Sequence, residues 1–206
     1  FEWRDEIDDY PEETLPWEKV VENIESGLKQ EPESSQIPAI NLANTQQRFW
    51  LIGEPGAGKT TTLQRMAWLR AKELLNSGYL VNHCPVIIKA NQYDRSYTFR
   101  KIISDYIKMS QNEVNDLLKR GKLWLLIDGW NEIAETEKEY AFRDLQQILN
   151  EFHSVDVVLS SRKYGFKHRF DMPIFELLPL NEKLIQKYLE RNMPTPEQGN
   201  KLFEQL

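Results

Sequence analysis

From Arg48 onward, short apolar runs alternate with stretches in which apolar residues recur every three or four positions. The runs are Phe49–Ile52, Pro85–Ala90, Leu123–Ile127, Val155–Leu159 and Pro173–Leu177. Unbroken hydrophobicity, rather than strict alternation, is what a strand requires when both of its faces are covered. The intervening stretches carry helical spacing. One holds Leu63, Met66, Ala67, Ala71 and Leu74, with Gly78 as a stop; another holds Ile102, Ile103, Tyr106 and Ile107; a third holds Ala141, Leu145, Ile148, Leu149 and Phe152. Strands alternating with helices predict an α/β fold, a mostly parallel five-stranded sheet sandwiched by helices. After Pro179, Leu184, Ile185, Tyr188 and Leu189 predict a further helix, and Gly199–Leu206 is helix-like again. Ahead of the first run, a short helix is predicted over Trp17–Leu28, followed by a polar linker, Glu31–Gln47, broken by Pro32, Ser34, Ser35 and Pro38. The expected division is a leader and linker over 1–47, a core over 48–178 and the start of a helical subdomain over 179–206. The chain shows no internal repeat and no low-complexity segment.

Composition narrows the class. The chain has 206 residues, 40% hydrophobic and 28% charged, which suits one sizeable packed domain and argues against wholesale disorder. No apolar run approaches the roughly 20 residues of a membrane span, and no charged-then-apolar leader suggests secretion. The single cysteine, Cys84, excludes an internal disulfide framework, fits a reducing cytosol and reads as a buried small residue opening a strand. Charge is uneven. Residues 1–33 hold twelve acidic side chains against three basic ones, a balance of -9, so the remainder carries about +3 of the chain's formal -6. The leader is either a solvated segment or one that folds against a basic face of this or another chain. A first residue of Phe1 and a last of Leu206 inside a helix-like stretch suggest a piece of a longer protein.

The chemistry begins at Gly53-Glu54-Pro55-Gly56-Ala57-Gly58-Lys59-Thr60, followed by Thr61. This fits G-x-x-x-x-G-K-[ST] in full, and it follows an apolar run and opens a helical period, the context that gives the motif meaning. A chance match in a chain of this length is on the order of 1% at average residue usage. Glycines let the backbone curl so that successive N–H groups face phosphate oxygens, and the helix N-terminus adds about half a positive charge. Lys59 is the candidate contact to the outer phosphates, and Thr60 the candidate hydroxyl ligand of Mg²⁺. The fold expected is therefore that of a P-loop NTPase.

A polyphosphate site also needs a metal partner and a group that orients water. Leu123–Ile127 ends in Asp128, then Gly129-Trp130-Asn131-Glu132. The C-terminal tip of a buried parallel strand faces the crevice in which such sheets bind ligands. Asp128 is thus the candidate metal partner and Glu132 the candidate base. Val157–Leu159 leads into Ser160, Ser161 and Arg162, which places an arginine on the same edge, able to stabilise or report the γ-phosphate charge. Lys163, Lys167 and Arg169 follow and read as a solvated loop. His83, His153 and His168 are scattered without ligand spacing, and Trp124 and Trp130 read as packing groups.

Residues 48–192 resemble the core of NACHT-type NTPases. The string Leu126-Ile127-Asp128-Gly129-Trp130-Asn131-Glu132 looks like that family's acidic motif, Gly53–Thr60 its phosphate loop, Pro85–Lys89 its next strand, Leu159–Arg162 its sensor strand and Phe175–Leu189 its exit into a helix. One residue departs from the pattern. The family usually has Asp where Asn131 stands, and Asn can bond a metal-bound water but cannot act as a base. Nothing matches the family's winged-helix region, which lies later in such chains. What the resemblance implies is an ATP- and ADP-binding, Mg²⁺-using switch in an NLR-like signalling or antiviral defence protein of the cytoplasm. Sensor and effector domains of the same chain, and self-association in the ATP state, are its implied partners. By the same analogy adenine contacts fall near Ile37–Ile40. Membrane and nucleic acid partners are not indicated.

Other readings predict other signals. A mechanical ATPase of the AAA type usually has Glu directly after the Asp, where Gly129 stands here. A GTPase needs an Asn-Lys-x-Asp sequence, which Asn181-Glu182-Lys183-Leu184 does not supply. A small-molecule kinase needs an acceptor pocket and a lid. A module that binds nucleotide without turning it over stays open because of Asn131.

Overall fold

The computed structural model describes residues 20–23, 37–77 and 83–180, and, beyond these, residues 182, 185–186, 189, 193 and 195–203. In chain order the strands are β1 (Val20–Asn23), β2 (Ile37–Pro38), β3 (Arg48–Gly53), β4 (Cys84–Lys89), β5 (Leu123–Asp128), β6 (Asp156–Arg162) and β7 (Ile174–Leu177). The helices are α1 (Leu42–Thr45), α2 (Lys59–Asn76), α3 (Phe99–Ile107), α4 (Gln111–Lys119), α5 (Lys138–Glu151) and α6 (Pro196–Phe203). Two compact units divide the chain, one over Val20–Leu178 and one that includes Pro179–Leu206.

The strands form one sheet in the order β2-β1-β7-β3-β6-β5-β4. The pairs from β7 through to β4 are parallel, which is the five-stranded parallel sheet the apolar runs predict. Two short antiparallel strands extend it beyond β7. Here the expectation of a helix over Trp17–Leu28 is corrected, because Val20–Asn23 is a strand in which Val21–Asn23 pairs with Phe175–Leu177. β-branched residue types such as those at 20 and 21 favour extended backbone, and β7 offers Val21 a ladder partner in Leu177. The rest of that predicted helix, and Gly78, lie outside the described residues.

Alternation along each strand sorts side chains between two cores. Trp50, Ile52, Leu125, Ile127, Val157 and Leu159 face α3, α4 and α5, where Phe99, Ile103, Val114, Leu118, Leu145 and Ile148 meet them. Phe49, Leu51, Trp124, Leu126 and Val158 face the other way, onto Leu63 and Met66 of α2 and Leu42 of α1. Burying one such side chain contributes roughly 1.5–3 kcal/mol, so both cores are deep enough to hold the sheet rigid beneath its tips. Helix α4 was not among the predicted elements. It begins with a capping box in which the Ser110 hydroxyl accepts from the Glu113 amide while the Glu113 carboxylate accepts from the Ser110 amide.

Two finer expectations change. Tyr106 is exposed, on the outer face of α3, rather than in the core. Cys84 is exposed as well, because β4 is an edge strand. Its partial burial still pushes the thiol pKa up, which disfavours a reactive thiolate. Trp130 does pack as expected, stacked at 6.1 Å on Phe99 and edge-on at 5.8 Å to Trp50. In the second unit residues 182, 185–186 and 189 are helical, whereas Leu184 and Tyr188 lie outside the described residues.

Candidate functional site

Strand β3 delivers the chain to Gly53, and α2 collects it at Lys59. The turn between them depends on glycine. A Cβ at Gly53 would stand 3.0 Å from the Leu177 carbonyl oxygen of β7. Gly56 and Gly58 have φ of 79° and 87°, the left-handed region that side-chain-bearing residues rarely adopt. Gly58 caps α2 with no side-chain acceptor, so the first amides of an 18-residue helix are left to whatever sits in the turn. Lys59 lies along the loop, its Nζ donating to the carbonyls of Gly53 at 2.8 Å and Glu54 at 2.9 Å. Its pKa is lowered, chiefly by burial; Asp128 acts in the opposite sense and Arg162 in the same sense. Glu54, Pro55 and Gly56 form the exposed tip, and Ala57 donates back to the Glu54 carbonyl.

The tips of β5 and β6 meet this loop. The Thr60 hydroxyl donates to Asp128 Oδ2 at 2.7 Å, and Ser160 Oγ donates to Asp128 Oδ1 at 2.6 Å. The Gly129 amide donates to Ser160 Oγ at 2.8 Å. Gly129 has φ of 78°, and a Cβ there would lie 2.9 Å from the Glu132 carboxyl carbon, so the small residue lets the Glu132 carboxylate fold back over Gly129. Arg162 pairs in register with Gly53, is exposed, and is close enough to Lys59 to influence its ionisation.

Lys59, Thr60, Asp128, Glu132 and Arg162 are thus brought to one edge of the sheet. Thr61 is exposed on the first turn of α2, with no bond to Asp128 or Glu132 among the described residues. Asn131 has a different job from the one its position suggests. Its Oδ1 accepts from the Arg162 backbone amide at 2.9 Å, tying the turn after β5 to the end of β6. Either Asn or Asp can supply that oxygen, which makes the departure from the usual Asp a mild one. Lys163 pairs with Glu176 at 2.8 Å and Arg169 with Glu139, so the basic loop is largely neutralised locally. Ile37 and Pro38 form β2, while Ala39 is buried against the α2 face. Ser160 is the residue the motifs passed over. The signal that finds it is parity: counting from the pair Ile127–Leu159, one further step sets Asp128 beside Ser160.

Thr60 and Asp128 form a pair of oxygen donors of the kind hard divalent cations take. No helix among the described residues is long and apolar enough to cross a membrane.

The family model of the NACHT domain matches residues 47–196. The chain belongs to the NACHT-domain family. A search of curated proteins returns no match. Among solved structures, this NACHT domain is similar to AMPPCP-bound DnaA from Aquifex aeolicus, at 18% identity and a TM-score of 0.52, over 82% of this chain and 53% of that one. It is similar to Drosophila ORC bound to DNA, at 15% identity and a TM-score of 0.53, over 82% of this chain and 48% of that one. A STAND protein with a tetratricopeptide repeat sensor from Pyrococcus horikoshii shares 16% identity at a TM-score of 0.44, over 91% of this chain and 29% of that one. The chain therefore spans about half or less of the length of these structures. At such identities the first two attest to the fold alone. Family and fold together make this a nucleotide-binding P-loop NTPase domain.

Proposed function

We propose that this NACHT domain binds MgATP in the loop Gly53–Thr60 and hydrolyses it slowly, as the nucleotide switch of a larger cytoplasmic signalling or defence protein. The observation that carries this is the meeting of the Thr60 hydroxyl and the Asp128 carboxylate at 2.7 Å, at the mouth of a glycine turn that opens a helix with no side-chain cap. That arrangement brings one ammonium group and two oxygen ligands to the N-terminus of a helix, the setting a triphosphate and its cation require.

In this reading Lys59 exchanges its two carbonyl partners for β- and γ-phosphate oxygens. Thr60 and Asp128 hold Mg²⁺, which when bound neutralises charge on the phosphates. Glu132 orients the attacking water, and Arg162 answers the charge at the γ-phosphate. The amides of Gly53 to Thr61 line the polyphosphate. Catalysis is then mainly positioning and charge. The core through Leu178 and the helical segment after it form the two arms of the switch. Sensor and effector domains of a longer chain act on it, and the ATP state favours self-association.

Calorimetric titration with ATP, ADP and GTP in Mg²⁺, followed by single-turnover hydrolysis, tests the proposal. ATP and ADP should bind, GTP more weakly, and Glu132→Gln should keep ATP bound and unhydrolysed. Absence of heat with both purine triphosphates sinks the reading. Binding with no turnover in the unmodified chain leaves a nucleotide-holding module instead of an ATPase, and unchanged turnover in Glu132→Gln moves the base elsewhere.

A further inference from the structure

We propose that Ser160 is a positioning residue, which fixes the Asp128 carboxylate so that one oxygen is anchored in the fold and the other is presented to a nucleotide-bound cation. The inference rests on the reading of Asp128 as the cation-facing carboxylate. It goes beyond that reading by assigning the group that aims it.

Strand parity places Ser160 and Asp128 on the same face. Val158 and Leu126 precede them by two residues, and both are buried toward α2. The parallel ladder between β5 and β6 runs from the pair Trp124–Asp156 to the pair Ile127–Leu159. At the next step a side chain takes over the role of the ladder, because the Gly129 amide donates to Ser160 Oγ at 2.8 Å. A serine hydroxyl has a single proton and an oxygen that can accept. With its oxygen taken up by a backbone donor that cannot reverse, the hydroxyl directs its proton to Asp128 Oδ1 at 2.6 Å. Asp128 Oδ1 is therefore an acceptor by construction, and Oδ2 is the oxygen turned toward Thr60. Ser160 is fully buried, at 0% exposure, so water does not stand in for a missing hydroxyl without a rearrangement of the strand tips.

This arrangement is the oxygen-ligand counterpart of the hydrogen bonds that orient metal-binding side chains in general. Loss of such a partner typically lowers metal affinity by about tenfold to a hundredfold. The distinguishing readout is the ratio of ADP affinity in MgCl₂ to ADP affinity in EDTA, measured by calorimetry on the full chain. It isolates the cation-dependent part of binding from the grip on the phosphates.

In Ser160→Ala the ratio should fall about tenfold toward unity, and in Ser160→Thr, which keeps the hydroxyl on a β-strand, it should return. If alanine does not give folded protein, Ser160→Cys, nearly isosteric and a weaker donor, is read by the same ratio and should fall in between. An unchanged ratio in Ser160→Ala overturns the proposal. So does a loss equal in MgCl₂ and EDTA that tracks a lower Tm, because that describes a merely structural serine. If the unmodified chain binds ADP with no Mg²⁺ dependence at all, the reading of Asp128 itself fails, a different result from the other two.

Discussion

Two basic side chains stand at opposite ends of β3, and both rest on backbone carbonyls. At the start of the strand, Arg48 donates through Nε to the Val155 carbonyl at 2.9 Å, and through Nη2 to the carbonyls of Phe152 at 2.9 Å and His153 at 3.0 Å. These carbonyls follow the C-terminal end of α5, where a cation is favoured by the helix dipole. At the far end, Lys59 donates to Gly53, the last residue of β3, and to Glu54, in the turn that follows. The same chemistry serves two purposes. A planar guanidinium on a helix terminus is a latch that joins α5, β3 and β6. A flexible ammonium on a glycine turn is a grip whose partners can be exchanged for phosphate oxygens.

The largest expected effect breaks the second half of that comparison. Lys59→Ala should abolish nucleotide binding or weaken it at least about tenfold, with Tm moving by less than about 2 °C. Calorimetry and thermal melts on one preparation check both parts, and wild-type affinity in the variant would contradict the assignment of the loop. Next in size is the latch. Arg48→Met keeps the stem and removes three short hydrogen bonds from a charged donor, which should lower stability by about 2 kcal/mol and Tm by roughly 4–8 °C. Denaturant unfolding measures it. Nucleotide affinity of the folded fraction should stay within about twofold of wild type, and a parallel loss of both would mean that the two ends of β3 are not independent.

The same contrast explains what could be read from the chain. The grip is contiguous: eight residues from Gly53 to Thr60 carry glycine, lysine and hydroxyl in an order that has few other uses, so the loop was legible before any packing was known. Asp128 was legible because it ends an apolar run. The latch was not, because Arg48 finds its partners more than 100 residues away at the end of α5, and no local spacing encodes that. Ser160 needed the register of β6 against β5. The pairing of β1 with β7 is likewise non-local, and Val20–Asn23 carried a pattern that a short helix satisfies equally well. Helix α4 offered only Val114 and Leu118 as buried periodic positions, and its decisive mark was the Ser110–Glu113 box.

A smaller effect sharpens the comparison at the upper edge. Asn131 joins the turn after β5 to the Arg162 amide by one neutral hydrogen bond, worth about 0.5–1.5 kcal/mol. Asn131→Leu removes the acceptor and should reduce the preference between ATP and ADP a few-fold by loosening Arg162. Asn131→Asp keeps an acceptor and should stay near wild type. Competition binding with the two nucleotides checks this. Equal effects of Leu and Asp would mean that the amide group, and not its oxygen, matters.

The smallest expected effect uses pH to separate the two cations without mutation. Burial lowers the pKa of both below the ordinary range of their side chains. Arg48 starts so high that it stays charged throughout the range in which the fold can be studied. Lys59 does not. Its ammonium is present below its lowered pKa and is lost as pH rises through it, so nucleotide affinity should decline at alkaline pH, beginning below the range of an ordinary lysine. The stability linkage has the opposite sign. A lysine whose folded pKa lies below its unfolded value leaves the folded state with fewer bound protons, and this group's contribution to stability rises with pH over that interval. Affinity should therefore fall while Tm, as far as Lys59 contributes, does not. ADP titrations and melts at stepped alkaline pH test this directly. If affinity and Tm decline together, the ammonium at the upper end of β3 is as structural as the guanidinium at the lower end, and the distinction between grip and latch collapses.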